Sequence, residues 1–309
     1  MNKIPLIVIA GATASGKTAL SIELAKAYNA EIVSADSMQI YKYMNIGTAK
    51  PDKEERDGIH HHLIDIVTPD VPFSVAQYVN EAHSVIKDIR SKGKNVFVVG
   101  GTGLYINSLV DDIDFFENDT DTSIRDELTH IFENEGADAL FEMLREIDPV
   151  SAEKIHKNNV RRVIRAIEFY KMTGIPISHH QAETKKKQSR YSPCIIAIRW
   201  DMEKLYERIE KRVDIMMKKG LLEEVEKLLK MGYTGDMISM QGIGYKEIIE
   251  YLSERCTLSE AIDKIKIGTR HYAKRQMTWF RRDERIHWID YNEDILNKAK
   301  EILNEYYVG

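Results

Sequence analysis

Gly11-Ala12-Thr13-Ala14-Ser15-Gly16-Lys17-Thr18 sets two glycines, a lysine and a hydroxyl at the G-x-x-x-x-G-K-[ST] spacing. Such a loop closes successive backbone N–H groups around a phosphate chain. Its lysine neutralises charge and its hydroxyl reaches magnesium, which makes Thr18 the candidate metal ligand. The pattern specifies a phosphate ligand but not a nucleotide. A nucleotide hydrolase would carry an acid at the end of a buried strand to hold magnesium, whereas the apolar run Asn95–Val99 ends in Gly100-Gly101-Thr102-Gly103. Asp36 closes another apolar run and is followed by Ser37, Met38 and Gln39. A carboxylate there could take a proton from an attacking nucleophile while its neighbours hydrogen-bond the acceptor; the position equally suits a helix N-cap or a magnesium-shell aspartate. Arg208 and Arg212 stand one helical turn apart, so both heads can reach one anion or form a solvated face.

Thr102 follows two glycines at a helix start, where a hydroxyl and N–H groups can face a ligand or simply cap the helix. Gln241, Gly242 and Gly244 form a tight turn. His60, His61 and His62 are adjacent, and three neighbouring side chains on a regular element cannot converge on one ion. Two basic stretches stand out. Arg161, Arg162 and Arg165 lie off the Val160, Val163, Ile164, Ile167 stripe, and Arg270, Lys274, Arg275, Arg281 and Arg282 are interleaved with Trp279 and Phe280.

The elements that must position these groups read as strand, loop and helix. Leu6–Ala10 is an apolar, β-branched run leading straight into the glycine loop, and Ala19–Ala27 carries helical spacing. Glu31–Ala35, Asn95–Val99, Ile195–Ile198 and Ile286–Ile289 are further strands, and a long helix starts near Met202. Continuous rather than alternating apolar runs predict a parallel sheet covered on both faces, with ligands at the carboxyl ends of its strands. The predicted class is α/β: a P-loop NTPase-like parallel-sheet core with helices on both faces and an inserted all-helical subdomain. The core spans 1–115 and 192–309, and the insertion spans 116–191, from about Phe116. The insertion closes with QAETKKKQSRYSP, Gln181 to Pro193, which reads as a loop or hinge.

In 309 residues, 44 Lys and Arg face 49 Asp and Glu for a net charge of -5, so any nucleic-acid surface must be a local patch. With 43% hydrophobic residues the chain can bury a full core. Cys194 and Cys256 lack CxxC neighbours, which suggests neither a disulfide framework nor a zinc ribbon and fits a reducing cytosol. The N-terminal run reads as a buried strand rather than a secretion signal, and no segment is apolar enough to span a bilayer.

DSMQIYKYMNIGTAKP, Asp36 to Pro51, resembles the signature that follows the phosphate loop in tRNA dimethylallyltransferases. The resemblance continues in family order through HHLIDI at His61, GGTGLYI at Gly100, NNVRRVIRAIE at Asn158 and RIEKRVDIMMKKGLLEEV at Arg208. It ends with QGIGYKE at Gln241 and TRHYAKRQMTWFRR at Thr269. It implies transfer of a dimethylallyl group from dimethylallyl diphosphate to the exocyclic amine of the adenosine 3′ to a tRNA anticodon. Gly11 to Thr18, Arg208 and Arg212 would then hold the donor diphosphate with Mg2+, and Lys17, Thr18, Arg212 and Asp36 would be catalytic, Asp36 taking the amine's proton. Asp36, Ser37, Met38, Gln39, Thr102, Arg125, Arg161, Arg162, Arg165, Gln241, Gly242, Gly244, Lys274 and Arg275 would face the tRNA anticodon stem-loop.

A cytoplasmic monomer without membrane association is expected. Ala12 stands where the family commonly has proline and Asn45 where it commonly has aspartate. The chain ends without the zinc finger of eukaryotic relatives, as in bacterial ones. Three other readings compete: an adenylate isopentenyltransferase acting on free nucleotides, a small-metabolite kinase using the loop for ATP, and a non-catalytic RNA-binding protein. The helical insertion with its arginines favours tRNA over a free nucleotide.

Overall fold

The apolar runs become the strands of one parallel sheet. The structure, a computed structural model, describes residues 3–113, 115 and 123–308. In chain order its elements are β1 (Ile4–Ala10), α1 (Lys17–Ala27), β2 (Ala30–Ser34), β3 (His61–His62), α2 (Val75–Ser91), β4 (Asn95–Gly100) and α3 (Gly103–Val110). These are followed by α4 (Ser123–Ile147), α5 (Pro149–Lys154), α6 (Val160–Thr173), α7 (Ile177–Lys186), β5 (Tyr191–Arg199), α8 (Met202–Lys218) and α9 (Leu221–Lys230). The last are α10 (Tyr245–Leu252), α11 (Leu258–Phe280), β6 (Ile286–Asp290) and α12 (Ile295–Val308).

Strand order is β3-β2-β4-β1-β5-β6, every pairing parallel. Alternate residues of the inner strands bury opposite faces. Ile7, Ile9, Phe97, Val99, Ile196 and Ile198 pack with Leu20, Leu24, Ala299 and Leu303 of α1 and α12. The other face is covered by α2 and α3. Each Ile or Val buried this way contributes about 1.5–3 kcal/mol. The loop Gly11–Gly16, the Asp36 turn, the turn after β4 and Trp200 therefore all leave carboxyl ends of strands, where a parallel sheet collects its ligands.

Two compact units result: Met1–Val110 with Arg190–Gly309, and Asp111–Ser189. The expected start of the insertion at Phe116 lies outside the described residues. The second unit is built of α4 to α7. Leu128, Leu140, Leu144, Val163, Ile164 and Ile167 form its core, as the α6 stripe requires, and Arg161 and Arg162 are exposed. Buried Asp148 joins α5 to α7 by accepting from the N–H and hydroxyl groups of Ser151 (3.0 and 2.7 Å) and Ser178 (3.0 and 2.6 Å). Burial raises its carboxyl, and these hydrogen bonds outweigh that and hold it below the ordinary range.

Only residues 187–190 of the stretch Gln181–Pro193 form the expected loop. Gln181–Lys186 completes α7 and Tyr191–Pro193 opens β5. Gln, Ala, Glu and Lys are good helix formers, so a polar composition did not mean a coil. Pro193 is tolerated because β6 pairs with β5 only from Ile195 onward, which leaves the strand an edge at the proline. The two-residue strand β3 had no signal in the sequence. Its His62 pairs through Nε2 with Glu31 at 2.7 Å, and Lys94 holds the other oxygen of that carboxylate at 2.6 Å.

Candidate active site

Gly16 caps α1 in the left-handed region, at φ 91°, so the chain can turn from the loop into the helix. The loop carbonyls are held from behind. Trp200 Nε1 donates to Ser15 O (2.9 Å), Arg208 Nε to Ala14 O (2.8 Å) and Lys17 Nζ to Ala12 O (3.2 Å). The Arg208 guanidinium lies 4.5 Å from the centroid of the Trp200 ring. Arg208, expected on the diphosphate, therefore spends Nε on the loop's own backbone and acts first as its brace. Arg212, one turn on, points Nη1 at Thr13 Oγ1 at 3.4 Å. Ser15 Oγ is buried with no hydrogen-bond partner among the described residues, a polar group in the loop that a phosphate oxygen would satisfy.

From the far end of the chain, buried Gln276 accepts from Thr13 N (2.9 Å) and donates to Gly101 O (2.8 Å). A Cβ at residue 101 would stand 2.2 Å from Gln276 Nε2 and 3.2 Å from Gly11 O, so any larger residue there must displace the Gln276 amide. Sequence reading missed Gln276 and Trp200, whose partners lie in the loop.

Asp36 Oδ1 accepts from the N–H groups of Met38 (2.9 Å) and Gln39 (3.4 Å), a turn that fixes the carboxylate beside the loop. Thr102 Oγ1 accepts from Ser37 N at 3.0 Å, so its hydroxyl supports the Asp36 turn. The Gln39 side chain is tied to its own neighbourhood: Oε1 accepts from Ser34 Oγ (3.2 Å) and Nε2 donates to Thr48 O and Ala49 O (3.4 and 3.3 Å). Thr102 and Gln39, both expected to face the tRNA, thus also bond the protein's own turns.

Two hollows meet at this point. One, of about 360 Å3, is lined by Asp36, Ser37, Met38, Gln241, Gly242, Gly244, Tyr272 and Arg275, with apolar Ile209, Val213 and Met216 of α8. The other, of about 810 Å3, opens over Ala14 to Thr18 with Arg208 and Lys211. Lys17, Thr18 and Arg212 line both. Burial first, then Arg212, bring the Lys17 ammonium down to about 8, while Asp36 works in the opposite sense. Burial also lowers Arg212, opposed by Asp36 and Glu55. Two cations pressed together in a partly dry place are a site prepared for a polyanion. Tyr272 is pushed up to about 12, by burial and then by Asp36, so it faces the cavity as a neutral phenol.

The remaining expected residues divide. Gln241 ends a single 3-10 turn and Gly244 caps α10, both on the cavity wall. Arg275 lies on the same wall, 5.7 Å from the Tyr272 ring centroid, and Lys274 is exposed on α11. Phe280 is core and Arg270 is paired with Glu210 at 2.8 Å, so neither belongs to a free basic surface. Arg125, Arg161, Arg162 and Arg165 belong to the second unit. There Arg125 and Arg165 share the buried carboxylate of Glu168, each at 2.9 Å. Asn45, the departure from aspartate, accepts from Lys50 Nζ at 3.0 Å.

Comparison with known proteins gives consistent matches. A family model described as IPP transferase matches residues 39–283. The tRNA dimethylallyltransferase of Acetivibrio thermocellus is 54% identical over 306 residues, covering 98% of this chain and 97% of its own. The solved tRNA isopentenylpyrophosphate transferase of Bacillus halodurans is 43% identical with a TM-score of 0.73, over 99% of this chain and 96% of that one. A eukaryotic dimethylallyltransferase, solved acting on tRNA, is 30% identical with a TM-score of 0.85, over 99% of this chain and 80% of that one.

Proposed function

The chain belongs to the IPP transferase family, and from that membership we infer that it transfers a dimethylallyl group from dimethylallyl diphosphate to the exocyclic amine of a tRNA adenosine, the one 3′ to the anticodon. The observation that carries the reading at this site is the junction of two hollows at Lys17, Thr18 and Arg212, with Asp36 on the wall of one of them. The diphosphate belongs at the junction, against the loop N–H groups. The allylic carbon then points into the cavity past Asp36 and the apolar residues of α8. A base must leave its stack to enter such a cavity, and an unpaired anticodon loop allows that at little cost.

As the amine nitrogen bonds to the allylic carbon, the carbon–oxygen bond to diphosphate breaks and the leaving group takes the electron pair. Lys17, Arg212 and the loop amides stabilise the charge that develops there, and preorganised donors of this kind commonly supply the largest single share of a rate enhancement. Asp36, held by the N–H groups of Met38 and Gln39, accepts the proton the amine loses. The residues fit magnesium carried on the diphosphate, since the Thr18 hydroxyl, an oxygen donor of the kind the ion takes, lines both hollows beside Lys17 and Arg212. When bound, the ion would add to the neutralisation of the leaving group. Arg161 and Arg162, exposed on α6, are assigned to tRNA phosphates, with Arg125 and Arg165 contributing the charge that Glu168 leaves uncancelled.

The test is incubation of the protein with an unmodified anticodon stem-loop and labelled dimethylallyl diphosphate, beside AMP and ATP controls. Label on the RNA is expected. Label on AMP instead would move the acceptor to free nucleotides, and phosphate transferred from ATP would overturn the prenyl-transfer reading.

A further inference from the structure

Glu224, on α9, is bound to a segment it does not adjoin in sequence. Its carboxylate accepts from Asn45 N (2.9 Å), Ile46 N (2.8 Å), Gly47 N (3.0 Å) and Tyr245 Oη (2.7 Å). An ionised carboxylate has about four acceptor positions and no donor, so four converging donors saturate it. The residues after Gly47 continue the connection. Thr48 O and Ala49 O accept from Gln39 Nε2, and Gln39 N donates to Asp36 Oδ1. Buried Tyr245 backs the same turn: a Cβ on Gly47 would stand 2.5 Å from its ring.

We propose that Glu224 is a positioning residue for Asp36, acting through the 45–49 turn and Gln39. The proposal rests on the reading of Asp36 as the proton acceptor. Glu224 lines neither hollow and touches no substrate; it holds the far end of the turn whose near end aims the carboxylate. Substitution by glutamine is not conservative here, because an amide NH2 would face N–H groups and the pocket has only donors to offer. Aspartate keeps the acceptor chemistry one methylene short.

The experiment is single-turnover transfer to the anticodon stem-loop at saturating donor, with inorganic diphosphate affinity measured on the same proteins. E224Q should lower the transfer rate about 10- to 100-fold, the scale expected of a catalytic group displaced by about 1 Å, and leave diphosphate affinity unchanged. E224D should recover part of the loss, while Y245F and Gln39→Met should show milder forms of the same rate-only defect. On a D36N background E224Q should add nothing, since its effect runs through the carboxylate already removed. A full E224Q penalty on that background, a wild-type rate for E224Q, or a parallel loss of diphosphate affinity would overturn the proposal. A wild-type rate for D36N alone would overturn the reading of Asp36 beneath it, which separates the two failures.

Discussion

Raising the pH should weaken diphosphate binding through Lys17, and the magnitude follows from its surroundings. Burial and Arg212 hold the ammonium at about 8, against 10.5 for a free lysine. About one-tenth of it is then neutral near pH 7, about half near pH 8 and about nine-tenths near pH 9. If the bound anion restores an ordinary lysine value, affinity follows the protonated fraction and falls about tenfold from about pH 7 to about pH 9. Binding near pH 8 should also take up about half a proton per diphosphate. Calorimetry with inorganic diphosphate in two buffers of different ionisation enthalpy measures both, and Lys17→Met supplies the background from the ligand's own titration. The neighbours fix the direction of further shifts. Arg212→Gln removes a cation that holds Lys17 down, so the break should move to higher pH even as overall affinity drops. Asp36→Asn removes an anion that holds it up, so the break should move lower. Equal pH dependence in wild type and Lys17→Met, or a downward move with Arg212→Gln, would refute the account.

Gly101→Ala should force Gln276 away from Thr13 N and lower stability by about 1–3 kcal/mol, read by thermal melting, and pairing it with Gln276→Ala should recover part of the loss. Arg161→Ala with Arg162→Ala should weaken stem-loop binding and reduce the slope of log affinity against log salt by about 1 for each arginine that neutralises a phosphate, with diphosphate binding unmoved. Asp148→Ala should destabilise the Asp111–Ser189 unit by about 1–3 kcal/mol in denaturant titration. Because the Asp148 carboxyl is held below its ordinary 3.8, its contribution is present above that pH and is lost as pH falls further, so the variant's acid unfolding should be the flatter of the two.

The loop, Asp36, the inner strands and the apolar stripe of α6 were legible because each is written within a dozen neighbouring residues. Their signals are a glycine spacing, a β-branched run and a helical period. What the sequence hid is what lies between distant segments. Gln276 is 263 positions from Thr13, and Glu224 is 177 from Gly47. Both are single polar residues on amphipathic helices, indistinguishable from solvated ones until the fold closes. Gln39 and Thr102 were assigned to the substrate on their place in the signature, yet their polar atoms bond the protein's own turns. The Gln181–Pro193 stretch misled through composition, since charge and a proline suggest a hinge where a helix end and the start of an inner strand flank a short loop.

The brace behind the phosphate loop has a consequence for how the protein is made. The carbonyls of Ala14 and Ser15 are held by Arg208 and Trp200, and the Thr13 amide by Gln276. When the ribosome has released the first hundred residues, the whole glycine-lysine signature is already outside the tunnel. Of the side chains that hold it in shape only Lys17 has been synthesised; Trp200, Arg208 and Gln276 have not. The nascent chain at that stage carries the motif without its braces, which arrive only from residue 200 onward.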